Sequence, residues 1–110
     1  MEHRIMHFLR RIGFRATHLG FVYYTRAVML VMEDESYLRC LTTRLYPKIA
    51  ETFQTTACCV EHAMRTDLDA FWYRGNRKLF ETLIGYELVG KPSAGEFIDI
   101  LAWHIKTGIL

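Results

Sequence analysis

The segment from Leu45 to Asn76, LYPKIAETFQTTACCVEHAMRTDLDAFWYRGN, constrains this chain more than any other. Its apolar residues recur every three or four positions, the period of an amphipathic helix. Ile49, Ala50 and Phe53 mark one face of a first helix, and Val60, Ala63, Met64, Leu68 and Phe71 mark one face of a second. Gln54-Thr55-Thr56 lies between them, and a threonine just before an apolar-periodic run is a helix N-cap signal. Pro47 falls just inside the start of the first helix, where a missing N–H costs nothing. The spacing predicts a helix-turn-helix over about 46–74, its second helix at about 57–74. Such a unit leaves the outer face of the second helix open, the geometry needed to enter a DNA major groove.

Two amphipathic helices with a short loop occur in most all-α proteins, so other features have to weigh in. Gln54 stands in the turn where many such motifs place a glycine, which argues against. Ala50 is small where the two helices must cross closely, and Phe53, Val60 and Ala63 fall at expected core positions, which argue for.

The rest of the chain is helical in pattern nearly everywhere. Ile5, Phe8, Leu9 and Ile12 give an amphipathic helix that Gly13 ends. A second run after Gly20 carries Val22, Tyr23, Ala27, Leu30 and Val31 in one stripe, and Glu33-Asp34-Glu35-Ser36 breaks it. A third helix is expected from about Tyr37 to Arg44. Gly75-Asn76 suits a C-terminal cap, a short helix runs from Arg77 to Ile84 and stops at Gly85, and Gly90, Pro92 and Gly95 mark a loop. A last helix is expected over Glu96 to Lys106. Trp72, Trp103, Tyr23 and Tyr24 sit at helical spacing and read as core or half-buried. The expectation is an all-α fold: a compact bundle of about six helices, residues 1–110 as one domain, helix-turn-helix at the centre and no wing.

Composition narrows the function classes. A chain of 110 residues buries roughly two thirds of its unfolded surface. With 51% hydrophobic and 24% charged residues it is no disordered tail. The net charge of +2 and pI near 8.5 permit a nucleic-acid partner without demanding one, since such domains often exceed a pI of about 9. Three cysteines, two of them adjacent, form no disulfide framework and point to a reducing cytoplasm. The most apolar run, Leu19 to Met32, is too short for a bilayer and carries Arg26, so no membrane association is expected. No glycine-rich phosphate loop, nucleophile elbow or triad spacing is present, and His3, His7, His18 and His104 are scattered. The chain reads as a non-enzyme without a cofactor.

At 100° per residue, the side of the second helix opposite Val60, Met64 and Phe71 carries Cys58, Cys59, His62, Arg65, Thr66, Asp69 and Tyr73, with Glu61 at its edge. Arginine reads guanine O6 and N7, and glutamate accepts from cytosine N4. Cys58, Cys59, Glu61, His62 and Arg65 are therefore the candidates for base contact. Thr55, Thr56, Thr66, Arg74, Arg77 and Lys78 are the candidates for backbone phosphates. Cys58 and His62 lie four apart beside Cys59, a weak metal alternative lacking a visible fourth ligand. Thiols near a helix N-terminus also tend toward the thiolate. The plainer reading is that small side chains replace longer ones on the exposed surface.

These residues also carry a resemblance. Leu45-Tyr46-Pro47 with Ile49-Ala50, Thr55-Thr56-Ala57, Val60-Glu61, Ala63, Arg65, Trp72 and Arg74-Gly75-Asn76 are shared blocks. Gly85-Tyr86, Lys91-Pro92 and Glu96-Phe97-Ile98 follow in the same order. The chain resembles the C-terminal DNA-binding effector domain of the stage 0 sporulation protein A family, the response regulators that control sporulation in endospore-forming bacteria. That resemblance implies about six helices, binding to double-stranded promoter DNA, homodimeric pairs on tandem sites, and contact with the RNA polymerase sigma factor. It places the protein in the bacterial cytoplasm, on the nucleoid.

Family members usually carry a receiver domain, but no βαβ pattern precedes the effector here, so the chain reads either as an excised domain or as a stand-alone relative controlled in another way, with the initial Met1 leaning toward the second. The family's recognition helix has basic residues where this chain has Cys59 and His62, while Glu61 and Arg65 are kept. Each bidentate base contact gives roughly 1–3 kcal/mol of discrimination, so a changed target or weaker specificity is expected. The expected function is a sequence-selective transcription regulator. The alternatives are a protein-interaction module of the same fold that has lost DNA reading, and a thiol- or metal-responsive variant.

Overall fold

Helix-forming segments and their stop signals account for the architecture in a computed structural model that describes residues 1–108. Six α-helices form: α1 (Glu2–Arg11), α2 (Leu19–Glu33), α3 (Tyr46–Phe53), α4 (Ala57–Arg74), α5 (Arg77–Ile84) and α6 (Ala94–Lys106). No strand occurs among the described residues, and none of their helices is long and apolar enough to cross a membrane. The fold is all-α, as expected.

α2 is the hub, packing against α1, α4 and α6. It is buried along most of its length, including Tyr23, Tyr24, Ala27, Val28 and Val31. Aromatic rings from nearly every element meet beside it. Phe14 stacks on Phe97 with centroids 5.6 Å apart, Tyr24 meets Phe97 edge-on at 5.2 Å, and Phe71 meets Phe80 edge-on at 5.4 Å. Such pairs add about 0.5–1.5 kcal/mol each beyond area burial. Phe14 lies in a loop, so helical periodicity gives no sign of its place in the core.

Several boundaries follow the expected signals. Gly13 and Gly85 take left-handed φ values of +105° and +91° after α1 and α5. Asn76 caps α5, its Oδ1 accepting from Leu79 N–H at 3.1 Å. Gly75 does follow α4, but in extended backbone rather than a left-handed cap. A Cβ there would lie 2.7 Å from Phe71 O, so close packing and not torsion selects glycine.

The expected helix over Tyr37–Arg44 is not one helix. A 3-10 turn spans Glu35–Arg39 and a π turn spans Leu41–Leu45, broken at Cys40 with φ −139° and ψ 53°. Asp34 Oδ1 takes the N–H and the hydroxyl of Ser36, while Arg44 donates to Ser36 Oγ at 2.6 Å and to Asp34 Oδ2 at 3.3 Å. These side chains compete with the regular helical ladder. The guanidinium of Arg44 also lies 4.5 Å from the Tyr37 ring centre.

Other expectations need correction too. α6 starts at Ala94 rather than Glu96, because Ser93 and Glu96 form a reciprocal capping box. Gly95 therefore belongs to the helix, not the loop. Phe53 is 39% exposed and packs only edge-on against Tyr23, and Trp103 is exposed. His104, by contrast, is buried, its Nε2 3.1 Å from Ile84 O and its Nδ1 2.9 Å from Ile100 O, which ties α6 to the end of α5.

Candidate nucleic-acid interface

α3 and α4 are joined by three residues, and the chain reverses at the first of them. Gln54 adopts φ 54° and ψ 50°, the left-handed conformation for which the absent glycine would be the usual residue. Thr55 N–H then bonds to Ala50 O at 3.0 Å. Thr56 is extended, and its hydroxyl accepts from Cys59 N–H at 3.1 Å. The expected N-cap is in place.

α4 is held along its inner face. Val60, Met64, Leu68 and Phe71 are buried. Two polar ties reinforce them: Tyr24 Oη donates to Met64 O at 2.9 Å, and Asp67 Oδ2 accepts from Gly20 N–H at 2.6 Å. Gly20 has to be glycine there, because a Cβ would fall 2.2 Å from that oxygen.

The outer face is free of such duties. Cys58, Cys59, His62, Arg65, Thr66 and Tyr73 are exposed, and Glu61 is half-buried. Arg65 Nη1 lies 4.0 Å from Glu61 Oε1, an exposed pair one helical turn apart. Pairs of this kind contribute little to stability, so their charges stay available to a partner. Both line a cleft of about 370 Å³ with Tyr46, Asp69, Lys91 and Pro92, on the flank of α4 that faces the start of α6. Lys91 Nζ pairs with Asp69 across that cleft. Burial first, then the nearby Glu61 carboxylate, push the Tyr46 hydroxyl above its ordinary pKa. The Asp69–Lys91 bracket joins residues 22 apart in sequence, so no local pattern signals it.

Hydrogen bonds with Thr56, and then Thr55, hold the Cys59 thiol below its ordinary pKa. Thr56 is exposed and Thr55 half-buried at the same end of α4. Among the described residues, no group of three or more His, Cys, Asp or Glu side chains is arranged to hold a metal ion.

The remaining cations divide into two kinds. Arg74 and Lys78 are exposed. Arg77 is already engaged: its guanidinium sits 3.6 Å from the Trp72 ring centre, donates to Leu88 O at 3.3 Å and lies 3.8 Å from Glu81 Oε2. It braces the chain after α5. Arg74 opens instead onto a polar cleft of about 420 Å³ shared with Arg15, His18 and Asp67. Arg15 and His18 lie in an irregular loop, where no periodic pattern marks them out.

Fold and turn together define a helical domain of the helix-turn-helix class, with α4 presented outward. Residues 5–105 match the family described as sporulation initiation factor Spo0A C terminal. The chain belongs to that family, and it is a DNA-binding effector domain of a sporulation regulator.

Proposed function

We propose that the exposed face of α4 reads a specific duplex sequence in the major groove. The observation that carries this reading is the division of labour on α4. One side is fixed by Val60, Met64, Leu68, Phe71, Tyr24 and Gly20, and the other projects Cys58, Cys59, His62, Arg65 and Thr66 with no structural role. In helix-turn-helix docking the N-terminal half of the second helix meets base edges. Arg65 and Glu61 carry the guanine and cytosine contacts, and Cys58, Cys59 and His62 line the same groove. Thr55, Thr56, Thr66, Arg74 and Lys78 take the phosphates. Promoter DNA is the partner, occupied by tandem copies, with the RNA polymerase sigma factor as a protein contact. The family is one of DNA-binding domains and not a catalytic one, which supports a non-enzyme.

A second reading has its own support. Residues 57–74 hold Glu61, Asp67 and Asp69 against Arg65 and Arg74, a net charge of −1. A negative reading helix repels the phosphate backbone, which favours a protein-docking module that keeps the fold and no longer reads bases.

Selection from random duplex DNA, followed by titration at two salt concentrations, separates the two. A reader enriches a short motif and loses affinity steeply with salt. No enrichment, with weak binding only, favours the docking module. Arg65→Ala relaxes specificity at one base position if Arg65 touches a base; uniform weakening across sequences places it on phosphate.

A further inference from the structure

Beside the exposed face of α4 lies a space of small-molecule size. The cleft between α4, the π turn and the start of α6 measures about 370 Å³, within the range of ligand sites, about 300–1,000 Å³. Its floor is apolar: Tyr46, Leu68 and Pro92 are buried and Leu41 is half-buried. Its rim is charged, with Arg65 and Lys91 set against Glu61 and Asp69. Those four charges sum to zero.

The two pairs on the rim differ. Lys91 and Asp69 are in direct contact and neutralise each other. Arg65 and Glu61 stand 4.0 Å apart, longer than a hydrogen bond, so each keeps hydrogen-bonding capacity for a third group. The Tyr46 hydroxyl lies within electrostatic reach of both. A ligand with a single charge would meet its opposite here beside a like charge. One that carries an acid and a base on the same small framework matches both, through charge-assisted hydrogen bonds, and sets its apolar part on the floor.

We propose that this cleft binds a small zwitterion with an apolar side group, the chemistry of a free amino acid. Its carboxylate sits on Arg65, its ammonium on Glu61, and its side group against Leu41, Leu68 and Pro92. The consequence for DNA follows from helix geometry. At 100° per residue, Glu61 and Asp69 lie about 40° to either side of Arg65, so the cleft opens on the side of α4 that Arg65 faces. A ligand there engages the two side chains assigned above to guanine and cytosine. Ligand and duplex then compete, each lowering the affinity of the other by the same factor. The competition rests on α4 as the DNA reader; the binding site does not.

Titration of L-phenylalanine into the DNA-free protein, followed by amide NMR, tests the site. The expected result is a set of saturable shifts around Leu41, Leu68 and Ala94. Phenylacetate and phenethylamine, which carry one charge each, should bind about tenfold more weakly, the loss of one hydrogen bond to a charged group. Arg65→Gln and Glu61→Gln, both solvent-facing, should each weaken phenylalanine binding by a similar factor. Lys106→Gln, in a separate crevice beside Met32 and Trp103, leaves it as it was. No saturable shift into the millimolar range, or shifts that survive both variants, overturns the proposal. Equal binding of the two singly charged probes overturns the zwitterion assignment. With phenylalanine present at ten times its Kd, the apparent Kd for the selected duplex should rise about tenfold. Unaltered DNA affinity under those conditions overturns the competition. A protein that binds phenylalanine and no duplex overturns α4 as the reader while the site stands.

Discussion

Asp67 of α4 caps the start of α2 across 47 residues of sequence, its Oδ2 taking the Gly20 N–H at 2.6 Å. His18 precedes α2 without making a side-chain cap of its own, so this carboxylate replaces the local cap and docks the two helices at once. Glycine in a helix ordinarily costs about 1 kcal/mol relative to alanine. Gly20→Ala should nevertheless destabilise, by about 1–3 kcal/mol, because its methyl group meets the carboxylate. In an Asp67→Gly background, which removes the Asp67 Cβ 2.6 Å away as well as its carboxylate, the same change should become neutral or stabilising. Urea unfolding of the four proteins measures this; a Gly20→Ala penalty that persists in the Asp67→Gly background would show that the Asp67 side chain is not the obstacle.

Gln54 is the one non-glycine residue with positive φ among the described residues. Gln54→Gly relieves that strain at the turn, and should raise stability by about 0.5–1 kcal/mol, net of its greater freedom in the unfolded chain. Loss of stability in chemical denaturation would mean the glutamine side chain contributes more than its backbone costs.

Tyr24 makes the protein sensitive to alkali. Burial, followed by the neighbouring Tyr46 and the Asp67 and Asp69 carboxylates, raises its hydroxyl pKa well above the ordinary value. Below about pH 10 both folded and unfolded chains keep that proton, so it adds no pH dependence. Above that the unfolded chain releases it while the folded chain resists, and stability falls as pH rises. Tyr24→Phe should cost about 1 kcal/mol at neutral pH through the lost bond to Met64 O, yet show a shallower alkaline decline. Thermal melts from pH 7 to 11 give both numbers, and parallel curves would contradict the assignment.

The lowered pKa of Cys59 has a kinetic signature. Thiolates are the reacting species, so its alkylation should reach half its maximal rate at a lower pH than for an ordinary thiol. Thr56→Ala, which removes its principal hydrogen-bond partner, should move that midpoint upward and also remove the cap of α4, at about 1 kcal/mol. Peptide mapping after timed alkylation follows Cys59 alone. An unchanged midpoint would leave the threonines with a purely structural role.

How much of this was legible in the sequence depends on how far apart the interacting residues lie. α4 and its Thr56 cap were readable because their signals sit within one or two helical turns. The Ser93-Glu96 capping box had the same local spacing and could have set the start of α6. The break at Cys40 was not readable, since Arg44 reaches back eight and ten residues to Ser36 and Asp34. Phe14, Arg15 and His18 lie where no period exists, and only closure of the α1–α2 loop onto Gly75 and Asn76 gives them their places. Arg77 looked like a free cation by position and became a brace through Trp72, Leu88 and Glu81. On α4 the period of 100° per residue located the exposed face, because the signal lies within a single helix.

The separation of the two sides of α4 bears on how such a regulator diverges. Cys58, Cys59, His62 and Thr66 touch nothing that the core depends on, while Met64, Asp67 and Phe71, interleaved with them, hold the domain together. Substitutions on the outward positions can accumulate with stability nearly constant, whereas the inward ones tolerate few. On the proposed reading of α4, two descendants of one ancestor can thus share an indistinguishable skeleton and address different promoters, and their melting temperatures would record none of the change.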